Sequence, residues 1–233
     1  MPLWIPPLIA FLAGSIPFGL LIAKTKGVNI REHGSGNIGA TNVLRVIGKP
    51  YGIGCLILDF LKGFLPSLLA INVFVIAGKN PQFIMDNLNG MANTFPAVDA
   101  WKAQTLVIIV GLAAIMGHNY SPWIGFKGGK GIATSGGVLV ALMPVGVVVL
   151  LAILLLFFVT SRYVSVASIG TAIMVPVVTL YGSYRHGYLS DGTWNKPLFV
   201  FSIVVALLAV WRHRTNIKSL MNGTEHKFSK KKK

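Results

Sequence analysis

Between Lys130 and Arg162 the chain carries no charged side chain. Most of that stretch, from Ile132 to Val159, is apolar, and an apolar run of about 18 residues or more is long enough to cross a bilayer as a helix. Similar runs recur at about Leu3 to Ala23, Tyr51 to Ala77, Ala103 to Gly117, Val164 to Gly182 and Pro197 to Trp211. Of the 233 residues, 54% are hydrophobic and 12% charged, whereas an average soluble domain is about one quarter charged. Six acidic residues cannot supply a soluble surface of this size. Residues 1–233 therefore read as a single polytopic membrane domain, with 217–233 as a basic cytoplasmic tail. The first run has no basic segment before it and no clear cleavage site, so a retained span is expected rather than a removed signal peptide.

The net charge of +15 has to be placed before it is interpreted. A nucleic-acid binder would carry its basic residues on a soluble module with its own core. Here they lie in short loops and in the tail Lys230 to Lys233. No nucleic-acid partner is expected; membrane lipids and anionic substrates are. Basic residues hold short loops in the cytoplasm. Five lie between Lys24 and Pro50 (Lys24, Lys26, Arg31, Arg45 and Lys49), and eight follow from Arg212 onward. The polar segment Gly78 to Lys102, with Asp86 and Asp99, balances its two lysines and belongs outside.

These assignments conflict if Ile132 to Val159 crosses only once, because the basic tail would then end outside. A hairpin removes the conflict. Pro144 breaks or kinks a helix at that point, and Gly136, Gly137 and Gly146 flank it. The expected pieces are a short helix from Ile132 to Leu142 and a longer one to about Val159. At 1.5 Å per residue the first is too short to cross alone. The expectation is an all-α integral membrane protein of seven transmembrane helices. Its amino terminus lies outside and its carboxyl terminus in the cytoplasm, with one short, broken helix near Pro144. The oligomeric state is not set by the sequence, and a monomer is compatible with it.

Two cytoplasmic segments have the composition of phosphate sites. Residues 31–45 place Gly34, Gly36 and Gly39 among Ser35, Asn37, Thr41 and Asn42, with Arg45 following. Glycines let backbone N–H groups approach one anion. A helix starting near Asn37 would favour an anion as well, and Arg45 can grip a phosphate with two parallel hydrogen bonds. The second segment, Gly125 to Thr134, sets Lys127 and Lys130 around Gly128 and Gly129 before a helix start. It lacks the spacing of a P-loop, so nucleotide binding is not supported.

Other chemistry-bearing residues lie near span ends. Asp59 and Lys62 fall inside the second span at i, i+3, where they can pair, and charges at that depth are functional by default. Ser165 follows Arg162 and Tyr163 at a helix junction, where an amino-terminal cap is expected. His213 and Asn216 lie three apart on one helix face, with Glu225 and Lys227 beyond. The five histidines, His118 among them, show no paired ligand spacing, so no metal is expected. No cofactor motif is present. The single cysteine, Cys55, sits in an apolar run and reads as packing.

Taken together, GSGNIGATNVLR (34–45), DFLKG (59–63), GHNYSPW (117–123), FKGGKG (126–131), RYVS (162–165) and RHRTNI with NGTEHK (212–217, 222–227) resemble the bacterial acyl-phosphate-dependent glycerol-3-phosphate acyltransferase family. The resemblance covers nearly the whole chain in order. It implies a bacterial inner-membrane enzyme with its active site at the cytoplasmic face. The enzyme would transfer an acyl group from acyl phosphate to the 1-hydroxyl of glycerol 3-phosphate, giving lysophosphatidate and phosphate, the first acylation of phospholipid biosynthesis. It further implies that Ser35, Arg45, Lys127, Ser165, His213 and Asn216 hold glycerol 3-phosphate. His213, Ser35 and Lys127 would be nearest the chemistry. Gly34, Gly36, Asn37, Gly39, Thr41, Asn42, Gly128, Gly129 and Lys130 would hold the acyl phosphate, with Asp59, Lys62, His118 and Glu225 supporting them.

The residue types suit that chemistry. Acyl phosphate has an activated carbonyl and a good leaving group, so no enzyme nucleophile is needed, and no nucleophile–base pair or G-x-S-x-G elbow is present. Two phosphates in one site repel, and cations with backbone donors offset the repulsion. A transporter of phosphate or organic phosphates is the competing class, since charged groups within spans and broken helices also mark transporters. No internal repeat supports it.

Overall fold

The computed structural model describes residues 1–80, 83–190, 192 and 194–228. Asp191 and the lysines from Lys230 to Lys233 lie outside the described residues. The chain divides into two compact units, Met1–Met143 and Pro144–Lys233.

The first unit begins with α1 (Ile5–Ser15), which starts on prolines, as a first turn tolerates. Pro17 separates it from α2 (Phe18–Lys24), so the first apolar run is one candidate span of two short helices. Then come α3 (Ala40–Val46) and α4 (Lys49–Val73). The chain continues through β1 (Phe74–Ile76), β2 (Asn93–Phe95), α5 (Ala100–Asn119) and α6 (Ile132–Leu142). Helix α1 packs on α5, and α4 packs on α6. Both contacts are made by glycine. A Cβ at Gly14 would strike the Ala114 carbonyl oxygen, and one at Gly137 would strike that of Phe60. Small residues of this kind let membrane helices approach closely. Ala10, Ala70, Val110 and Ala114 are buried at the centre of the α1–α4–α5 core.

The second unit holds α7 (Pro144–Ser161), α8 (Val164–Arg185), α9 (Lys196–Arg212) and α10 (Arg214–Met221). Helix α8 packs on both α7 and α9. Asn195 caps α9 by accepting the Leu198 N–H at 2.9 Å. On α7, Val145, Val148, Leu151, Leu155, Leu156 and Val159 are all exposed. A surface so apolar on a helix whose own backbone groups are paired suits lipid, not water.

Among the described residues five helices are long and apolar enough to cross a membrane, or six if α9 and α10, bent by 54°, are one span. The short helix Ile132–Leu142 and the break before Pro144 fall where the charge argument put them. Two expectations are corrected. The second span ends at Val73, not Ala77, because Phe74-Val75-Ile76 pairs in parallel with Asn93-Thr94-Phe95; a β-branched run favours a strand once it leaves the bilayer-spanning helix. The helix after the glycine loop starts at Ala40, not near Asn37. The last apolar run ends at Arg212, close to the expected Trp211, and the chain turns at His213 into α10.

Candidate active site

In the first unit the glycine-rich loop is wound around one side chain. Asn42, on the first turn of α3, is 2% exposed. Its Oδ1 accepts the Ser35 N–H at 2.9 Å, and its Nδ2 faces the carbonyls of Asn37 at 2.9 Å, His33 at 3.0 Å and Ile30 at 3.2 Å. Asn37 works alike, its Oδ1 accepting the Gly39 N–H at 2.8 Å. Gly36 donates its N–H to the His33 carbonyl at 3.1 Å. Gly34 has φ +60, and a Cβ there would run into the Asn42 amide. Glycine is needed at 34 because the backbone is left-handed and the amide lies against it. Asn42 has both its amide oxygen and its amide nitrogen engaged in shaping the loop, whereas Asn37 lends the loop only its oxygen. Ser35 and Arg45 remain exposed and Thr41 half-buried.

The second lysine-bearing segment rests on the end of α5. The Gly128 N–H bonds the Asn119 carbonyl and the Gly129 N–H the His118 carbonyl, each at 3.1 Å. These are the last carbonyls of α5, which a helix end leaves without intrahelical partners. A Cβ at Gly129 would hit the His118 ring, and one at Gly128 the His118 carbonyl oxygen. The two glycines thus allow close seating on α5, where the sequence had suggested donors to an anion. What this segment presents outward is Lys127, exposed, and Lys130, half-buried. The first N–H groups of α6, which follow the left-handed Gly131 (φ +80), lie beyond them. Arg31 ties the two segments together, its Nη2 donating to the Lys127 carbonyl at 3.0 Å.

Beneath them Asp59 and Lys62 form an ion pair at 2.8 Å, both side chains 4% exposed. Lys62 also donates to the Ile16 carbonyl at 2.8 Å, at the break between α1 and α2. His118 Nδ1 lies 3.7 Å from Asp59, and the Cys55 thiol points at the same carboxylate at 3.6 Å. The pair thus braces a broken helix on one side and the histidine under Gly129 on the other. Pairing is what makes two charges tolerable at that depth.

In the second unit Glu225 gathers two of the expected substrate-binding residues. Its Oε1 accepts from Ser165 Oγ at 2.7 Å and from Asn216 Nδ2 at 2.8 Å. The expectation that Ser165 caps α8 is not met. Tyr163 holds the cap position, and the Ser165 hydroxyl is drawn to the carboxylate. The segment carrying Glu225 is fastened to the α7–α8 junction. The Phe228 N–H bonds the Arg162 carbonyl at 2.9 Å, Lys227 lies over the Tyr163 ring at 5.6 Å, and Phe228 packs edge-on against Phe158. His213 is buried where α9 turns into α10, and Nδ1 lies 2.8 Å from the Ala209 carbonyl. A carbonyl only accepts, so Nδ1 carries the proton and, in the neutral ring, Nε2 is an acceptor.

Sequence reasoning missed Arg31 and Asn119. Nothing in the spacing marks Arg31, whose partner lies 96 residues away. Asn119 is fully buried, its amide against Gly131, and in sequence it reads as one more polar residue in a loop. Among the described residues no group of three His, Cys, Asp or Glu could hold a metal.

Comparison with known proteins agrees along the whole chain. The sequence profile described as glycerol-3-phosphate acyltransferase matches residues 4–223. The glycerol-3-phosphate acyltransferase of Aquifex aeolicus is 38% identical over 221 residues, covering 95% of this chain and 96% of that one. That of Geotalea daltonii is 40% identical over 222 residues, with 95% of each covered. Two crystal structures of PlsY (YgiH), described as an integral membrane glycerol 3-phosphate acyltransferase, are also similar. The glycerol 3-phosphate form is 37% identical with a TM-score of 0.76, covering 97% of this chain and 96% of that one. The lysophosphatidic acid form is 36% identical with a TM-score of 0.74, covering 97% and 95%. The chain belongs to the glycerol-3-phosphate acyltransferase family.

Proposed function

We infer that the protein transfers an acyl group to the 1-hydroxyl of glycerol 3-phosphate, giving lysophosphatidate, and that its donor is an acyl phosphate. The observation that carries the reading is the full-length likeness to a structure known with the acceptor and with the product. Ser35, Arg45, Lys127, Ser165, His213 and Asn216 hold glycerol 3-phosphate in this reading. Lys130, the α6 amino terminus, and Thr41 with the glycine loop serve the acyl phosphate. What supports the cationic part is the exposure of Arg45 and Lys127 on two segments that Arg31 joins.

The chemistry is direct. The C1 oxygen attacks the acyl carbonyl, the new ester C–O bond forms, the bond to the phosphate oxygen breaks, and phosphate leaves. The C1 proton goes to His213 or to the substrate's own phosphate, the two bases the reading offers. Arg45 and Lys127 offset the repulsion between two phosphates, and positioning supplies much of the rate. No acyl-enzyme forms. Radiolabelled acyl phosphate without acceptor should leave the protein unlabelled, and an acylated serine would sink this mechanism.

In the same reading the two units are parts of one polytopic domain of the bacterial inner membrane. Seven spans cross it, with the amino terminus outside, and the carboxyl terminus and the active site on the cytoplasmic side. The basic loops between α2 and α4 and after α9 support that orientation. The function is tested by assaying the detergent-purified protein with glycerol 3-phosphate and either acyl phosphate or acyl-coenzyme A. Lysophosphatidate from acyl phosphate alone is expected; turnover from acyl-coenzyme A alone would replace the donor.

A further inference from the structure

Helices α1 and α4 leave an apolar cavity of about 460 Å3 between them, lined by Ile9 and Ala13 on one side and by Leu58, Leu65 and Leu69 on the other. Ile9, Leu65 and Leu69 are exposed, so the cavity is a groove open along its side. From Leu58 to Val73 it follows α4 for roughly 22 Å at 1.5 Å per residue. Lys62 lines it as well, but its ammonium is taken by Asp59 and the Ile16 carbonyl, which leaves the wall its methylene stem. The two ends differ. Ile16 and Phe18 line the inner end. The next residue, Gly19, is pressed against the Ile38 carbonyl of the glycine-rich loop, with the Cys55 thiol beside it, one turn of α4 before Leu58. At the far end, where α4 finishes at Val73, Met1, Leu88 and Met91 complete the wall. Leu88 and Met91 sit on a short 3-10 turn, Asp86–Met91. The stretch before that turn is clamped to α4. The buried Asn72 donates to the Phe83 carbonyl and accepts the Met85 N–H, each at 2.8 Å.

A groove of this shape and chemistry takes one alkyl chain. Lipid tails are as apolar as leucine, so moving a chain from the bilayer into the groove contributes little affinity. The groove therefore does not select a chain by attraction. It rejects one that is too long, because a chain that reaches a clamped wall must displace packed atoms, and overpacking is costly. One leaflet of hydrocarbon is roughly 15 Å thick, shorter than the groove, so the chain of a bilayer lipid would fill only part of it. A chain whose head is fixed at the glycine-rich loop runs its whole length. We propose that the groove holds the acyl chain of the acyl phosphate and that Leu88 and Met91 form its end stop, setting the longest chain the enzyme uses. The proposal rests on the reading above in which the glycine-rich loop serves the acyl phosphate.

The test uses the full-length protein in detergent with glycerol 3-phosphate and three donors of increasing length, lauroyl, palmitoyl and arachidoyl phosphate. The wild type should use palmitoyl phosphate better than arachidoyl phosphate by about tenfold in kcat/KM, the scale of an overpacking penalty. The Leu88→Ala, Met91→Ala double variant opens the far end and should bring that ratio to within about threefold. Leu69→Trp fills the groove part-way from an exposed position and should shift the preference the other way, from palmitoyl toward lauroyl phosphate. Equal use of palmitoyl and arachidoyl phosphate by the wild type would show that there is no end stop. Donor ratios unchanged from the wild type in both variants would give the groove to a bilayer lipid. Either result overturns the proposal while acyl transfer from acyl phosphate stands. No turnover from any of the three donors would overturn the reading on which the proposal rests, and the proposal with it.

Discussion

The glycine-rich loops of the first unit and the Glu225 cluster of the second are built in opposite ways. In the first, side chains serve the backbone: Asn42 and Asn37 hold a loop, Arg31 holds a carbonyl, and two glycines seat a segment on the end of α5. The exposed cations Arg45 and Lys127 then stand on a frame that is already hydrogen-bonded. In the second, side chains serve side chains: one carboxylate collects a serine and an asparagine from helices far apart in sequence. The first design suits an anion approached by lysine and arginine. The second centre carries a negative charge at those contacts.

Removing charge from each region should separate them most sharply. Lys62→Met leaves the Asp59 carboxylate buried without its cation, and breaking a buried pair costs about 3–5 kcal/mol. A large drop in melting temperature in detergent is expected, and the Asp59→Asn, Lys62→Met double variant should recover part of it. An unchanged melting temperature for the single variant would show that the pair does not brace the first unit. Asn42→Ala comes next. It leaves the Ser35 N–H and several loop carbonyls unpaired, at about 1–3 kcal/mol for a buried group. Activity should fall at least about tenfold, with a loss of stability a solvent-facing ligand residue would not show.

Arg45→Ala removes an exposed cation and no frame contact. It should raise KM for glycerol 3-phosphate and lower turnover at near-native stability, by about 1.5–3 kcal/mol in kcat/KM if a charged hydrogen bond to phosphate is lost. Wild-type kinetics in the folded variant would reject its assignment. The smallest effect is expected from Glu225→Gln, whose carbonyl oxygen can still accept from Ser165 and Asn216. The change from a charged to a neutral acceptor is worth about 1 kcal/mol and should appear in kcat/KM with little change in melting temperature. A collapse of the fold would make Glu225 a structural post instead.

Much of this was legible in the sequence where long-range rules apply to runs of residues. The break before Pro144 followed from charge bookkeeping across the whole chain, and the Asp59–Lys62 pair from helical spacing. What failed was local identity without a partner. Asn42 reads as a donor, yet its partners are backbone groups of the segment before it. Ser165 reads as a cap, yet the acceptor that claims its proton is 60 residues further on. Gly128 and Gly129 read as an anion cradle, yet the end of α5 lies directly beneath them. Residue type reveals what a group can do; only the fold reveals what it is already doing.

The most direct measurement is the stoichiometry of the reaction in detergent. Phosphate released from acyl phosphate should match lysophosphatidate formed one for one, and phosphate release should stop when glycerol 3-phosphate is withheld. A burst of phosphate without acceptor, leaving an acylated protein, would contradict direct transfer between two substrates held in one site.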